Sequence, residues 1–265
     1  MANNFVTEAA TSFNDAAAYD TYRPGYAVLA VNDLLEHLGL FGKKHAKVVD
    51  LAAGSGKFTQ ELASRDEQFE IVAVEPVEAM RNTLAAKNLN NVQVREGLAT
   101  KIDLPDGWAD GLIVAQAFHW FANEEALAEI QRVLKPGAKI GLIWNIENSW
   151  ERSLNQQILD LPRFGPDRFR DDKWRQVYDR QATTQSPMFA TPIGTAQQPF
   201  KLWLKPDAIW SRVNTLSQVA ILKGTAREEF IAKFNKLMSD GDCERNDKGE
   251  VAVHGCVYYA WTSRL

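Results

Sequence analysis

The sequence predicts a doubly wound α/β fold on a mostly parallel seven-stranded sheet, with an antiparallel edge and a cap insertion. Three observations support this. Short β-branched runs recur, and each is nearly continuous rather than alternating, as strands covered on both faces require. Helical segments separate them, which implies right-handed βαβ units. Beyond residue 145 that alternation stops, and a late strand, a helical stretch and a last strand follow an irregular segment. A chain of 265 residues, 45% hydrophobic and 24% charged, can bury one core of this size with an insertion.

Taken in order, Pro24 to Leu40 reads as a helix, preceded by the aromatic segment FNDAAAYDTYRPGY. Strands are expected at Lys47 to Ala53, Phe69 to Glu75, Asn91 to Arg95, Gly111 to Ala117 and Lys139 to Trp144. The intervening helices are Lys57 to Ser64, Val77 to Lys87, and one opened by Asn123 as N-cap, with Ala126, Leu127, Ile130, Val133 and Leu134 on one face. Lys135-Pro136-Gly137 stops that helix and leads into the next strand. Residues 146 to 195, with scattered Trp, Arg, Pro and Gly, read as an irregular insertion. Gln198 to Leu204 reads as a strand, Pro206 to Ser239 as one or two helices, and Val251 to Ser263 as the final strand.

A formal net charge of -4 and the lack of any run of five Lys or Arg give no general attraction to phosphate polymers, so nucleic acid is not an expected partner. Cys243 and Cys256 lack metal-ligand spacing, so no metal is expected, and they read as two thiols rather than a bridge. The first residues hold no basic patch followed by an apolar run, and no window of about 18 apolar residues occurs. The expectation is a cytoplasmic chain with no membrane partner, monomer or homodimer.

The stretch VVDLAAGSGKFTQEL, residues 48 to 62, carries the chemistry. A P-loop needs Gly where Leu51 stands and Ser or Thr where Phe58 stands, so a phosphate cradle fails. A dinucleotide fingerprint fails in both registers, its last Gly falling at Thr59 or Lys57. Asp50, at the carboxyl end of the first strand, would repel a pyrophosphate on the following helix. The position suits a cation. S-adenosylmethionine supplies one and carries no phosphate. The small loop from Ala52 through Gly54 to Gly56 would let the main chain approach its methionine part, with Asp50 on the ammonium directly or through water. Glu75, at the end of the second strand, can accept both ribose hydroxyls, and Pro76 can pack on the adenine face.

On these residues the segment from 47 to about 145 resembles the class I S-adenosylmethionine-dependent methyltransferases. The family's D-x-G-x-G-x-G motif stands as Asp50-Leu51-Ala52-Ala53-Gly54-Ser55-Gly56, its ribose acid as Glu75, and its K-P-G as Lys135-Pro136-Gly137. Ala52 replaces the first Gly, and the family's acid or amide near adenine is missing, since Glu96-Gly97-Leu98-Ala99 offers Leu98 or Ala99 at that place and leaves recognition to main-chain groups. Tyr19-Asp20-Thr21-Tyr22-Arg23-Pro24 and Gln116-Ala117-Phe118-His119-Trp120 are similar to a fungal small-molecule branch that includes trans-aconitate carboxyl methyltransferases and gliotoxin-type thiol methyltransferases. That likeness implies a lid of Tyr19, Tyr22 and Arg23 over the donor, with Gln116 and Ala117 beside it. It also implies that His119 faces the donor methyl, as an orienting group or a base.

The expected division is thus a lid and helix at 1–40, a cofactor-binding core at 41–145, a cap at 146–240 that includes one core strand, and a final core strand at 241–265. Phe13, Trp120, Trp144 and Asn145 are expected on the acceptor side, and Arg23, Arg163, Arg168, Arg170 and Arg175 would clamp a carboxylate if they converge. Structural readings stand beside these: Asp50 and Glu75 as helix-capping acids, His119 as a packing residue, Tyr19 to Arg23 as an anchor. The functional expectation is methyl transfer to a thiol or oxygen of a small molecule, releasing S-adenosylhomocysteine. The alternatives are carboxyl O-methylation of a small organic acid and, from other classes, a non-catalytic S-adenosylmethionine-binding protein or a nicotinamide oxidoreductase.

Overall fold

The computed structural model describes residue 20 and residues 25–147, 169–240 and 243–265. Phe13, Tyr19, Tyr22, Arg23, Arg163 and Arg168 lie outside them, as does the start of the first predicted helix. The elements run α1 (Val28–Leu38), β1 (Lys47–Leu51), α2 (Lys57–Ala63), β2 (Glu70–Val74), α3 (Glu78–Ala86), β3 (Val92–Arg95), β4 (Ala109–Ala115), α4 (Glu124–Val133), β5 (Leu134–Glu147), α5 (Gln176–Ala182), β6 (Gly194–Leu204), α6 (Pro206–Asn214), α7 (Ser217–Ala220), α8 (Gly224–Asp240) and β7 (Val251–Ser263).

The strands form one seven-stranded sheet in the order β3-β2-β1-β4-β5-β7-β6. The pairs from β3 across to β5 are parallel, while β7 is antiparallel to both β5 and β6. Because the chain winds outward from β1 to β3 and then restarts on the other side of β1, the crevice between the carboxyl ends of β1 and β4 is the switch point where open α/β sheets bind ligands.

Side-chain alternation sorts the core into two layers. Val49, Leu51, Leu112, Val114, Leu142 and Trp144 face α4 and α5 with Leu127, Ile130, Val133 and Tyr178. Val48, Ile113 and Ile143 face α1 and α2 with Leu34, Leu38, Phe58 and Leu62. A third cluster lies apart from these, where α6 and α8 (Ile209, Val213, Phe230, Phe234) pack on the ends of β6 and β7 through Leu202, Leu204, Val251 and Val253.

The departures from the predicted boundaries have local causes. β1 ends at Leu51 rather than Ala53 because Ala52 adopts φ +59°, and β4 ends at Ala115 rather than Ala117 because Gln116 adopts φ +62°. The chain leaves both strands in the left-handed region, just where the crevice opens. α1 starts at Val28, since Ala27 before it is extended, and stops at Gly39 with φ +69°. β5 is longer than expected because β7 pairs with it as far as Glu147, while Lys135 to Ala138 bulge out of register. β6 begins at Gly194 and contains Pro199, which an edge strand tolerates. The stretch expected to hold one or two helices holds three, and α5 forms inside the segment read as irregular.

Candidate active site

Asp50 lies in β1, in register with Ala73 of β2 and Ile113 of β4, and is fully buried. Its Oδ2 accepts a 2.6 Å hydrogen bond from Thr59 Oγ1 on α2, while Oδ1 is sealed from solvent without a partner. Burial, opposed by the Thr59 bond and reinforced by the charge of Glu75, pushes this carboxyl up to about 7. An orphaned, sealed carboxylate oxygen is costly unless a donor or cation comes to it.

The loop after β1 is tied to β2 on its other side. Ala53 N donates to Val74 O at 3.1 Å, and Gly54 N donates to Glu75 Oε2 at 2.8 Å. Val77 N donates to Glu75 Oε1, also at 2.8 Å, and Arg81 reaches the carbonyls of Glu75 and Pro76. Glu75 is therefore a brace for the glycine loop as well as a candidate ribose acceptor, and each of its oxygens keeps a second lone pair. Burial raises its pKa despite both amide bonds and Arg81. A Cβ on Gly54 would meet nothing within 4 Å, so the loop faces open space there, whereas at Gly56, φ +83°, it would stand 2.2 Å from Leu84 Cδ1. Two buried acids, an open small-residue loop and no phosphate cradle fit a cationic ligand.

Around this centre, Pro76 is half-buried beside Glu75, and so are Leu98 and Ala99 beyond β3. Leu98 exchanges main-chain bonds with Lys101, which leaves Ala99 for main-chain recognition there. Gln116 N donates to Ile143 O at 2.8 Å, and Ala117 leads into a 3-10 turn, Phe118–Trp120. Phe118 is fully buried and stacks on Tyr178, while Trp120 is half-buried. His119 is partly buried, and Trp144 Nε1 donates to its Nδ1 at 3.3 Å. Burial lowers its pKa to about 4.

Two acceptor-side expectations take a different form. Trp144 is 1% exposed and packs against Trp174, 5.0 Å between ring centroids, and Phe169 at 4.4 Å, so it supports His119 from the core instead of presenting an open face. Asn145 donates from Nδ2 to Gly25 O at 3.0 Å, and its Oδ1 is sealed without a partner. Arg175, offered for a carboxylate clamp, is engaged by Asp172 and Tyr258.

Sequence reasoning missed Thr59, whose only signal was its place one helical turn into α2, below Asp50. It also passed over Asp20, which sits inside the quoted N-terminal segment. Asp20 Oδ1 accepts from Ser55 Oγ and Lys87 Nζ, both at 2.8 Å, and so joins Asp20 to the glycine loop and to the residue after α3. Burial pushes Asp20 up, but the bonds from Lys87 and Ser55 hold it below its ordinary value. Among the described residues, no cluster of His, Cys, Asp or Glu could hold a metal ion, and no helix is long and apolar enough to cross a membrane.

The model of a methyltransferase domain matches residues 49–142. An uncharacterized methyltransferase-like protein of Schizosaccharomyces pombe is 36% identical over 226 residues, 84% of each chain. An uncharacterized methyltransferase of Mycobacterium tuberculosis is 36% identical over 242 residues, 90% of each chain. Their names specify no acceptor. Among solved structures, a protein assigned as a type II methyltransferase from Anaeromyxobacter dehalogenans aligns at TM-score 0.63 and 22% identity, covering 92% of this chain and 97% of its own, which supports the fold.

Proposed function

This chain belongs to the class I S-adenosylmethionine-dependent methyltransferases, and on that premise we propose that it transfers the methyl group to an oxygen or sulfur of a small molecule. One observation carries the acceptor reading: at the carboxyl end of β4, His119 and the half-buried Trp120 and Phe121 stand on a fully buried aromatic layer of Phe118 and Trp144, an apolar surface suited to a compact organic acceptor. When bound, S-adenosylmethionine supplies a methyl group on a sulfonium. Asp50 holds its ammonium, Glu75 its ribose, and the loop from Ala52 to Gly56 gives its methionine part close main-chain contact. Pro76, Leu98 and Ala99 line the adenine side, and Gln116 and Ala117 border the transfer point. Tyr19, Tyr22 and Arg23, the residues expected to form a lid over the donor, and Phe13, expected on the acceptor side, lie outside the described residues.

Such a displacement neutralises charge, so alignment and exclusion of water do most of the work, and an acid or thiol that ionises near neutral pH needs no strong base. A small organic acid methylated on its carboxylate is the second form of this reading. The residues expected to clamp it are Arg23, Arg163, Arg168 and Arg170, since Arg175 is engaged.

The test is calorimetric titration of S-adenosylmethionine and S-adenosylhomocysteine, with NADH as control, followed by methyl-donor turnover on a panel of thiols and carboxylic acids. Micromolar binding with turnover on that panel supports the reading. Turnover confined to proteins or nucleic acids overturns it.

A further inference from the structure

His119 sits four residues beyond the carboxyl end of β4, in the turn that follows it, and its two ring nitrogens are in different situations. Nδ1 receives the indole N–H of Trp144 at 3.3 Å. An indole nitrogen only donates, so Nδ1 must be the lone-pair nitrogen, and the neutral ring carries its proton on Nε2. Among the described residues no hydrogen bond to Nε2 is seen, and His119 as a residue is only partly buried. The indole that sets this arrangement is itself fixed, because Trp144 is 1% exposed and wedged between Phe169 and Trp174.

We propose that Trp144 is a positioning residue that holds His119 as a hydrogen-bond donor, so that the site takes acceptors whose nucleophile is already ionised, a carboxylate or a thiolate. This rests on the methyl-transfer reading above. A base would need its lone pair on the nitrogen left for the acceptor, and here the lone pair points at the indole. Nε2–H instead donates to the anionic acceptor and fixes it for attack. The acceptor gives a lone pair to the methyl carbon while the carbon–sulfur bond breaks with its pair going to sulfur. A negative and a positive charge cancel, and no proton moves. An alcohol or amine, which must lose a proton as it reacts, finds no base in His119.

The surroundings keep the ring neutral. Phe118, Trp120 and Phe121 belong to its own turn, and Trp144 and the uncharged Asn145 come from β5. On the wall behind Trp174 stands Arg175, whose guanidinium lies 4.9 Å over the indole and is engaged by Asp172 and Tyr258. Burial alone lowers the His119 pKa, so the ring remains uncharged across the neutral range.

Two experiments on the full-length protein test this. Nitrogen-15 spectra of histidine-labelled protein, with the His119 signals assigned by their absence in His119→Gln, read the tautomer without turnover. Nδ1 bare and Nε2 protonated from about pH 5 to 8, and loss of that bias in Trp144→Phe, are expected. A protonated Nδ1 overturns the proposal. In kinetics, Gln places an amide N–H near the position of Nε2–H but cannot act as a base. His119→Gln should keep at least about a tenth of wild-type kcat while His119→Ala loses about a hundredfold or more, and the rising limb of kcat/KM against pH should follow the acceptor's own pKa. Equal loss in both variants, or turnover of an aliphatic alcohol through a group titrating near 6, refutes the donor role. Cofactor binding without turnover of any acceptor sinks the parent functional reading, and with it the acceptor class, whereas the spectrum still answers the tautomer assignment.

Discussion

Asp50→Asn is the sharpest single test of the cofactor site, because the structure makes its effect depend on pH. In the wild-type chain Asp50 is fully buried, holds one hydrogen bond from Thr59, and lies near Glu75, so burial foremost lifts its pKa from 3.8 to about 7. That shift corresponds to about 4 kcal/mol of preference for the neutral form. The sign follows: a raised folded-state pKa contributes stability that is fully present below 3.8 and is lost as pH rises through about 7. The ammonium of S-adenosylmethionine reverses the preference, since a cation against a dry carboxylate favours ionisation. Binding should therefore expel about nine-tenths of a proton at pH 6 and about one-tenth at pH 8. Calorimetry in two buffers of different ionisation enthalpy measures that release. Asp50→Asn should abolish it and weaken binding about 10- to 100-fold at pH 8, the loss of one charge-assisted bond, with a smaller deficit at pH 6. In the ligand-free state, the wild-type melting temperature should fall relative to Asp50→Asn as pH rises from about 5 to about 8. Proton release that persists in Asp50→Asn, or affinities that match at pH 8, would refute the placement of the cation on Asp50.

Other perturbations follow from named contacts. Gly56→Ala forces a Cβ into the left-handed region, 2.2 Å from Leu84 Cδ1, and should cost about 2 to 4 kcal/mol in urea denaturation; Leu84→Ala in the same chain should recover part of it, and a loss below about 1 kcal/mol contradicts the geometry. Glu75→Gln keeps one acceptor oxygen for two amides, those of Gly54 and Val77, so stability should drop by about 1 to 3 kcal/mol even without ligand, whereas a role confined to ribose leaves the ligand-free protein unchanged. Asp20→Ala releases Ser55 and Lys87; stopped-flow measurement should show S-adenosylmethionine leaving about 3 to 10 times faster, with Lys87→Ala giving a milder version. An unchanged dissociation rate in Asp20→Ala shows that its bonds to Ser55 and Lys87 do not hold the glycine loop for the ligand.

Much of the fold was legible because each strand of a doubly wound sheet is written as a short continuous apolar run, and such runs mark β1 to β4 to within two residues at either end. Periodicity failed where something nonlocal decides. β6 reads as a broken pattern, Gly194 through Pro199, and is a strand because β7 offers it eleven residues of partner. The extra length of β5 likewise comes from β7. The helix that forms at Gln176–Ala182 is held by Val177 and Tyr178 packing into the main core, a contact no local signal announces.

The site divides along the same line. Residues whose position follows from the strand pattern were readable: Asp50 at the end of β1, Glu75 just after β2, His119 beyond β4. What escaped were the partners that set their chemical state, because a partner is chosen by packing and not by spacing. Thr59 leaves one oxygen of Asp50 unmatched, and the Gly54 and Val77 amides turn Glu75 into a brace. The Trp144 indole decides which nitrogen of His119 keeps its proton. In each case the pattern marked the residue, while the contact that sets its charge, its bracing or its tautomer came from packing. A dry acid half-ionised near neutrality in β1 and a neutral histidine beyond β4 are the two chemical states those neighbours surround. On the proposal above, that pair would suit methyl transfer from a sulfonium to an anion, and the neighbours rather than the motif would create the fit.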